Sequence, residues 1–229
     1  MVTYLIGTCH LDLKGPARLK KFLNFVRPTS IGHENSLESV KSLAENRKRK
    51  SVAFLHMNSE VDQTLKFAIM LEYIYGYEIW MPYQHQQDDN PTTTIYPLEN
   101  CQTIQKATEY FYQQSSTTDS KTLSDWEIIL NEGLRTMDLK KVQNGIDLAY
   151  FDPRMAENIQ KKLERIDYIL QDREVLIEQK IREIVANDAQ GTTVAICGVA
   201  HIFGGHHNLY ERLMDISPCR IRLPDVDKF

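Results

Sequence analysis

The sequence predicts an α/β protein, with a central, mostly parallel or mixed sheet flanked by helices and a long helical insertion at about 102–189. Short apolar, β-prone runs recur along the chain, segments with apolar residues at helical spacing separate them, and glycine or proline marks most junctions. With 229 residues and 42% hydrophobic side chains, a single domain spanning 1–229 can fill a sizeable core.

Tyr4-Leu5-Ile6 predicts a buried strand over 3–6 that opens into a loop at Gly7. The chain then turns through Lys14-Gly15-Pro16. Leu19, Phe22, Leu23 and Val26 predict a helix over 17–26, ended at Arg27-Pro28 because the residue before proline avoids the α region. A short strand follows over 29–34. Leucines with Val40 predict a helix over 36–46, and Leu65, Ile69 and Tyr73 predict another that runs up to Gly76. Residues 51–57 stay open between strand and buried helix, since Val52-Ala53-Phe54-Leu55 is too short for periodicity to decide. Asp88-Asp89-Asn90-Pro91 predicts a turn, and the β-branched run over 92–96 a strand closed by Pro97. The stretch 102–189 reads as mostly helical, broken at 113–120 and at Phe151-Asp152-Pro153, and forms an insertion or subdomain carried on the sheet. A strand over 192–197, a short helix over 206–214 and a last strand over 219–223 complete the order.

The net charge of −4, from 31 acidic and 27 basic side chains, gives no broad cationic field, so nucleic acid is not an expected partner. The one dense basic run, Arg47-Lys48-Arg49-Lys50, reads as the solvated end of a helix, where cations favour the macrodipole. The four cysteines (Cys9, Cys101, Cys197, Cys219) are scattered and form no CxxC pair, which fits a reducing compartment. Met1-Val2-Thr3-Tyr4 runs directly into a strand without a basic, apolar leader, and nothing approaches eighteen consecutive apolar residues. The expectation is a cytoplasmic protein with no membrane partner.

One four-residue echo stands out. Gly7-Thr8-Cys9-His10 follows the first predicted strand, and Gly198-Val199-Ala200-His201 follows the strand Val194-Ala195-Ile196-Cys197. Both histidines therefore leave the sheet at carboxyl ends of strands, the edge where parallel α/β sheets bind ligands. A glycine there lets the chain turn sharply and leaves space for a ligand near the backbone. Against this stands the reading of two hydrogen-bonded loop histidines. Neutral imidazole suits both general-base work and ligation of Zn, Mn, Fe or Co. The carboxylate such a site needs is best supplied by Glu34, which closes the second predicted strand; its rival role is a surface anion at the start of a helix. His33 reads as structural, because adjacent strand residues face opposite ways.

These residues resemble the TraB/PrgY/GumN family, which shares its motifs with the Tiki metalloproteases and more distantly with the EreA/ChaN-like group. Gly7-Thr8-Cys9-His10 is similar to the opening Gly-Thr-x-His, and Glu34 to the glutamate that ends the next strand. Gly76-Tyr77-Glu78 corresponds to a glycine and glutamate ahead of a short helix. Asp172-Arg173-Glu174 keeps the arginine of a helical Glu-Arg-Asp or Glu-Arg-Asn motif and departs at both flanking acids. Gly198-Val199-Ala200-His201-Ile202-Phe203-Gly204 matches the final Gly-x-x-His-x-x-Gly. The resemblance spans nearly the whole chain in order but rests on about ten positions. It implies an α/β core with both motifs and Glu34 lining one pocket and, for Tiki-like members, a Mn- or Co-dependent peptidase activity. Other relatives are esterases without a metal, and one binds haem.

The function expected on these grounds is metal-assisted hydrolysis of a peptide or small acyl substrate. His10, Glu34 and His201 would hold a divalent transition metal (Mn, Co or Zn), with Glu34 as ligand or general base. Arg173 would orient a carboxylate or stabilise charge on the substrate carbonyl; its bland counterpart is an exposed helical pair with Glu174. His206 and His207 are further candidate ligands or the first turn of a solvent-facing helix. Cys9 and Cys197 raise a thiolate alternative paired with His10 or His201. Two readings from other classes remain: a protein that binds haem, a metal or a peptide without turnover, and a scaffold whose helices over 154–189 make a homodimer.

Overall fold

A computed structural model describes residues 2–36, 67, 70, 74, 76–100, 125–152, 167–204 and 208–229. Within them, β1 (Val2–Thr8), β2 (Ser30–His33), β3 (Thr94–Pro97), β4 (Thr192–Gly198) and β5 (Cys219–Arg222) form one sheet in the order β3-β2-β4-β1-β5. Every pairing is parallel, so the sheet expected as mostly parallel or mixed is wholly parallel over these strands. All strand carboxyl ends therefore emerge on one edge.

Seven α-helices among the described residues accompany the sheet: α1 (Gly15–Val26), α2 (Tyr77–Asp88), α3 (Asp125–Thr136), α4 (Leu139–Phe151), α5 (Asp167–Asn187), α6 (Val199–Phe203) and α7 (Leu209–Arg212). Alternation along the strands sends Ile6, Ile31, Val194 and Ile196 to one face, where they meet Phe22 of α1, Trp80 of α2 and Ile146 of α4. Leu5, Ala195 and Cys197 point to the other face and pack on Ile177, Ile181 and Ile184 of α5. Covering both faces is what an all-parallel sheet requires. The described helices of 102–189 are consequently divided between the two layers: α4 supplies the first core and α5 the second. Both pack directly on the sheet.

Several boundaries differ from expectation for physical reasons. The first helix begins at Gly15, with Pro16 inside its first turn, where a missing N–H costs nothing. Residues 67, 70 and 74 are helical, as the run up to Gly76 predicts, while Leu65, Ile69 and Tyr73 lie outside the described residues. Gly76, with a positive φ of 75°, also caps the start of α2, which continues through Pro82. The helix expected over 206–214 is shorter: α7 starts after Asn208, whose side chain accepts from the Glu211 N–H at 3.0 Å, and is followed by a 3-10 turn, Met214–Ile216. Gly7 is not a turn residue, since β1 runs on to Thr8. A Cβ there would lie 3.1 Å from Val199 Cα and 3.3 Å from Phe203 Cδ2, so Gly7 serves the close packing of α6 on β1. The expectations for 37–46, 47–50, 51–57, Cys101, His206 and His207 fall outside the described residues. Among the described residues no helix is long and apolar enough to cross a membrane.

His33 is fully buried on the α2 side of the sheet, with Tyr83 Oη 3.5 Å from its Nε2 and its Nδ1 unpartnered. Burial pushes its pKa down from 6.5 to about 4, so the folded protein holds the ring neutral where an unfolded chain would protonate it. The sign follows: stability from the neutral ring is complete above pH 6.5 and falls by about 3 kcal/mol as pH drops towards 4. Urea unfolding across that range is expected to show this loss in the wild type and not in His33→Gln. Parallel profiles for the two proteins would contradict the assignment.

Candidate active site

Three strand ends and one helix bring charges together at the carboxyl edge. Glu34 follows β2, where its backbone N–H donates to Ile196 O of β4 at 3.1 Å. Its side chain turns back across the edge. Oε2 accepts the Gly198 N–H at 2.6 Å, and Oε1 faces both His201 Nε2, at 3.1 Å, and Arg173 Nη2. His201 sits in α6, and its other ring nitrogen, Nδ1, is bonded to Glu174 of α5. Arg173 spans two carboxylates, donating from Nε to Glu99 Oε1 and from Nη2 to Glu99 Oε2 at 3.1 Å as well as to Glu34. These side chains are largely withdrawn from water: Glu99 is 1% exposed, His201 8%, Glu34 10% and Arg173 13%.

Burial alone would raise the Glu34 carboxyl, but the charges of His201 and Arg173 outweigh it and hold the group ionised well below the usual range. Burial likewise disfavours a charged His201, yet the carboxylates of Glu174 and Glu34 keep the ring protonated well above the usual range. Glu99 is shifted upwards by burial, against the pull of Arg173. The resting cluster is thus an ionised Glu34 flanked by an imidazolium and a guanidinium.

His10, two residues beyond β1, lies on the more open side, with 62% of its side chain exposed. Its Nδ1 is 2.9 Å from Oε1 of the buried Glu78 in the first turn of α2, and that carboxylate pushes the imidazole up to about 9. The charges of Glu34 and Arg173 also act on it, in opposite directions and less than Glu78 does. The loop that carries it is fastened from α4. The Cys9 N–H donates to Tyr150 Oη at 2.8 Å, and Tyr150 donates to Asp12 Oδ2 at 3.1 Å. Asp12 is in turn held by Arg18 Nη1 at 2.9 Å.

All four residues singled out from the sequence, His10, Glu34, Arg173 and His201, contribute to this site. Three partners were not selected. Glu99 lies two residues past β3, where the strand-end rule that finds Glu34 applies equally. Glu78 and Glu174 stand inside quoted motifs, but nothing local in the sequence pairs the first with His10 or the second with His201. Burial, with further upward pressure from nearby carboxylates, raises the thiols of Cys9 and Cys197, which disfavours a thiolate nucleophile. Gly198 has an ordinary φ of −54°, and a Cβ on it would face His201 Cδ2 at 3.4 Å and Glu34 Oε2 at 3.6 Å.

The expected metal set does not fit the residues as placed. Both His201 nitrogens face carboxylates, and both Glu34 oxygens are taken by Gly198 N–H, His201 and Arg173. Among the described residues no group of three or more His, Cys, Asp or Glu side chains is arranged to hold a metal ion. Arg173 supplies positive charge where a cation would be needed. Compared with known protein families, curated proteins and solved structures, the chain matches none.

Removing the guanidinium while keeping its volume leaves Glu34 and Glu99 facing one another in a dry setting. Arg173→Met is therefore expected to lose about 3–5 kcal/mol in urea unfolding, as when one member of a buried ion pair is deleted. Arg173→Met/Glu99→Gln should recover part of it. A single variant as stable as the wild type would show that the cluster does not depend on Arg173.

Proposed function

We propose that this chain hydrolyses an acyl bond in a peptide or small ester, in the manner the TraB-like motifs suggest, and that it does so without a metal. The observation that carries the proposal is the convergence of Glu34, Arg173, Glu174 and His201 with the His10–Glu78 pair at one sheet edge. His10 is the site's exposed titratable ring, oriented from behind by a carboxylate, which is the arrangement of a general base and its orienting partner. Because Glu78 raises the ring to about 9, only a small neutral fraction is present at pH 7. That form takes a proton from the attacking water, Glu78 stabilises the imidazolium that results, and turnover rises with pH towards 9. Arg173, which meets Glu34 and Glu99 through Nε and Nη2 rather than Nη1, favours the negative charge that develops on the substrate carbonyl oxygen, while His201 is turned to Glu34 and Glu174. Glu34 holds those two cations in place.

The metal-assisted form of the reading would need a metal to displace Arg173 or the protons of His201 from Glu34. One experiment separates the alternatives: purified protein assayed against peptides and small esters, untreated, with chelator, and with added Mn, Co or Zn. The expected result is turnover that chelator leaves unchanged and that His10→Ala lowers by about a hundredfold or more, with the fold retained by circular dichroism. Turnover abolished by chelator and restored by a metal would replace this mechanism with the metal-assisted one. No turnover in any condition would leave a ligand-binding protein.

A further inference from the structure

A second group of charges lies one strand beyond His10. β5 lies at one edge of the described strands and pairs with β1 so that Leu5 is opposite Arg220 and Gly7 opposite Arg222. Strand alternation turns Ile221 towards the core and places both arginines together on the other face. Aromatic rings hold them there. The Arg222 guanidinium carbon is 4.0 Å from the centroid of Phe203 and 5.3 Å from that of Phe151; that of Arg220 is 4.3 Å from Tyr210 and 5.1 Å from Phe203. Phe203 is in α6, two residues past His201, so the rings that hold the arginines extend the candidate active site.

Arg220 is exposed and Arg222 half-buried, and among the described residues neither has carboxylate partners of the kind that surround Arg18 and Arg173. Among the described residues neither Arg220 nor Arg222 makes an ion pair, and the Nε of Arg222 is buried without a hydrogen-bond partner. Asp225 acts on Arg222 only through its charge, while its Oδ1 is engaged by Lys228 Nζ at 2.6 Å. A buried, unpaired N–H beside the like charge of Arg220 is costly unless an anion completes it. The rings cover part of each guanidinium, and the donors left over suit a planar, two-oxygen acceptor. The aromatic walls offer no ring of additional donors such as a tetrahedral dianion would call for.

We propose that Arg220 and Arg222 form an anion-binding subsite for a carboxylate carried by the substrate, such as the free C-terminus of a peptide. The role of the anion's carrier as substrate rests on the hydrolase reading, whereas anion binding itself does not. The test follows the Arg222 Nε–H signal by 15N NMR in the full chain during titration with acetate, with inorganic phosphate at matched ionic strength as comparator. A saturable acetate shift is expected, weakened about tenfold in Arg220→Gln and unchanged in His10→Ala. Absence of a saturable shift overturns the subsite, and phosphate binding more tightly than acetate overturns its assignment to a carboxylate. In the second arm, Arg222→Gln and the charge-preserving Arg222→Lys are assayed on a peptide and on its C-terminal amide. Arg222→Gln should raise KM for the free acid about tenfold, with kcat held and the amide unaffected. Equal effects on acid and amide would overturn recognition of the carboxylate. Acetate binding with no hydrolysis of either peptide would remove the hydrolase reading and leave the anion site standing.

Discussion

Glu34 is the constraint on which the rest of the site depends. A carboxylate taken out of water is tolerable only when its oxygens meet donors, and Glu34 finds them on β4, α5 and α6 at once. That single side chain sets how far α6 stands from β2 and which way Arg173 turns. Arg173 then accounts for a second buried carboxylate, Glu99, and His201 for the half-buried Glu174. Each member of the set is acceptable because the others are present, which makes it a cooperative unit rather than a collection of pairs.

The sheet divides the site into halves supported by different layers. Glu34, Glu99, Arg173 and His201 are held with the help of α5, from the layer packed on Leu5 and Ala195. His10 is held by Glu78 of α2 and, through its loop, by Tyr150 of α4, from the layer packed on Ile6 and Ile196. A movement of one helical layer relative to the other would change how His10 faces the buried cluster without breaking either half.

Much of this was legible in the sequence because strand ends are local features. A run such as Val194-Ala195-Ile196-Cys197 followed by Gly198 and His201 announces both the strand and the edge where the histidine emerges. Glu34 was found by the same rule. The ion-pair partners on the helices were less legible: Glu174 carries no signal that distinguishes a solvated helical acid from one facing His201. Glu99 could have been recovered, had the strand-end rule been applied at β3. α2 is legible only through the resemblance, which places a short helix after Gly76-Tyr77-Glu78; its own residues give no clear helical period, and Pro82 is accommodated within it. The glycine of the first motif was noticed for the wrong reason, since Gly7 answers to the packing of Val199 and Phe203 rather than to a ligand or a turn.

The pairing of β1 with β4 has a consequence for how the protein comes into being. Thr8 hydrogen-bonds to Cys197, 189 positions away, and β1 obtains both of its neighbouring strands from the last part of the sequence. At ribosomal speeds of roughly 5–20 residues per second, a nascent β1 waits about 10–40 s for its first neighbour to be synthesised. Throughout that interval an apolar segment with both edges bare is exposed to other chains. Loop closure over such a span also makes assembly of this sheet a slow step compared with formation of its helices. The two histidine motifs are therefore brought to one sheet edge only once β4 has paired with β1, so an unfinished chain carries the motifs but not the site.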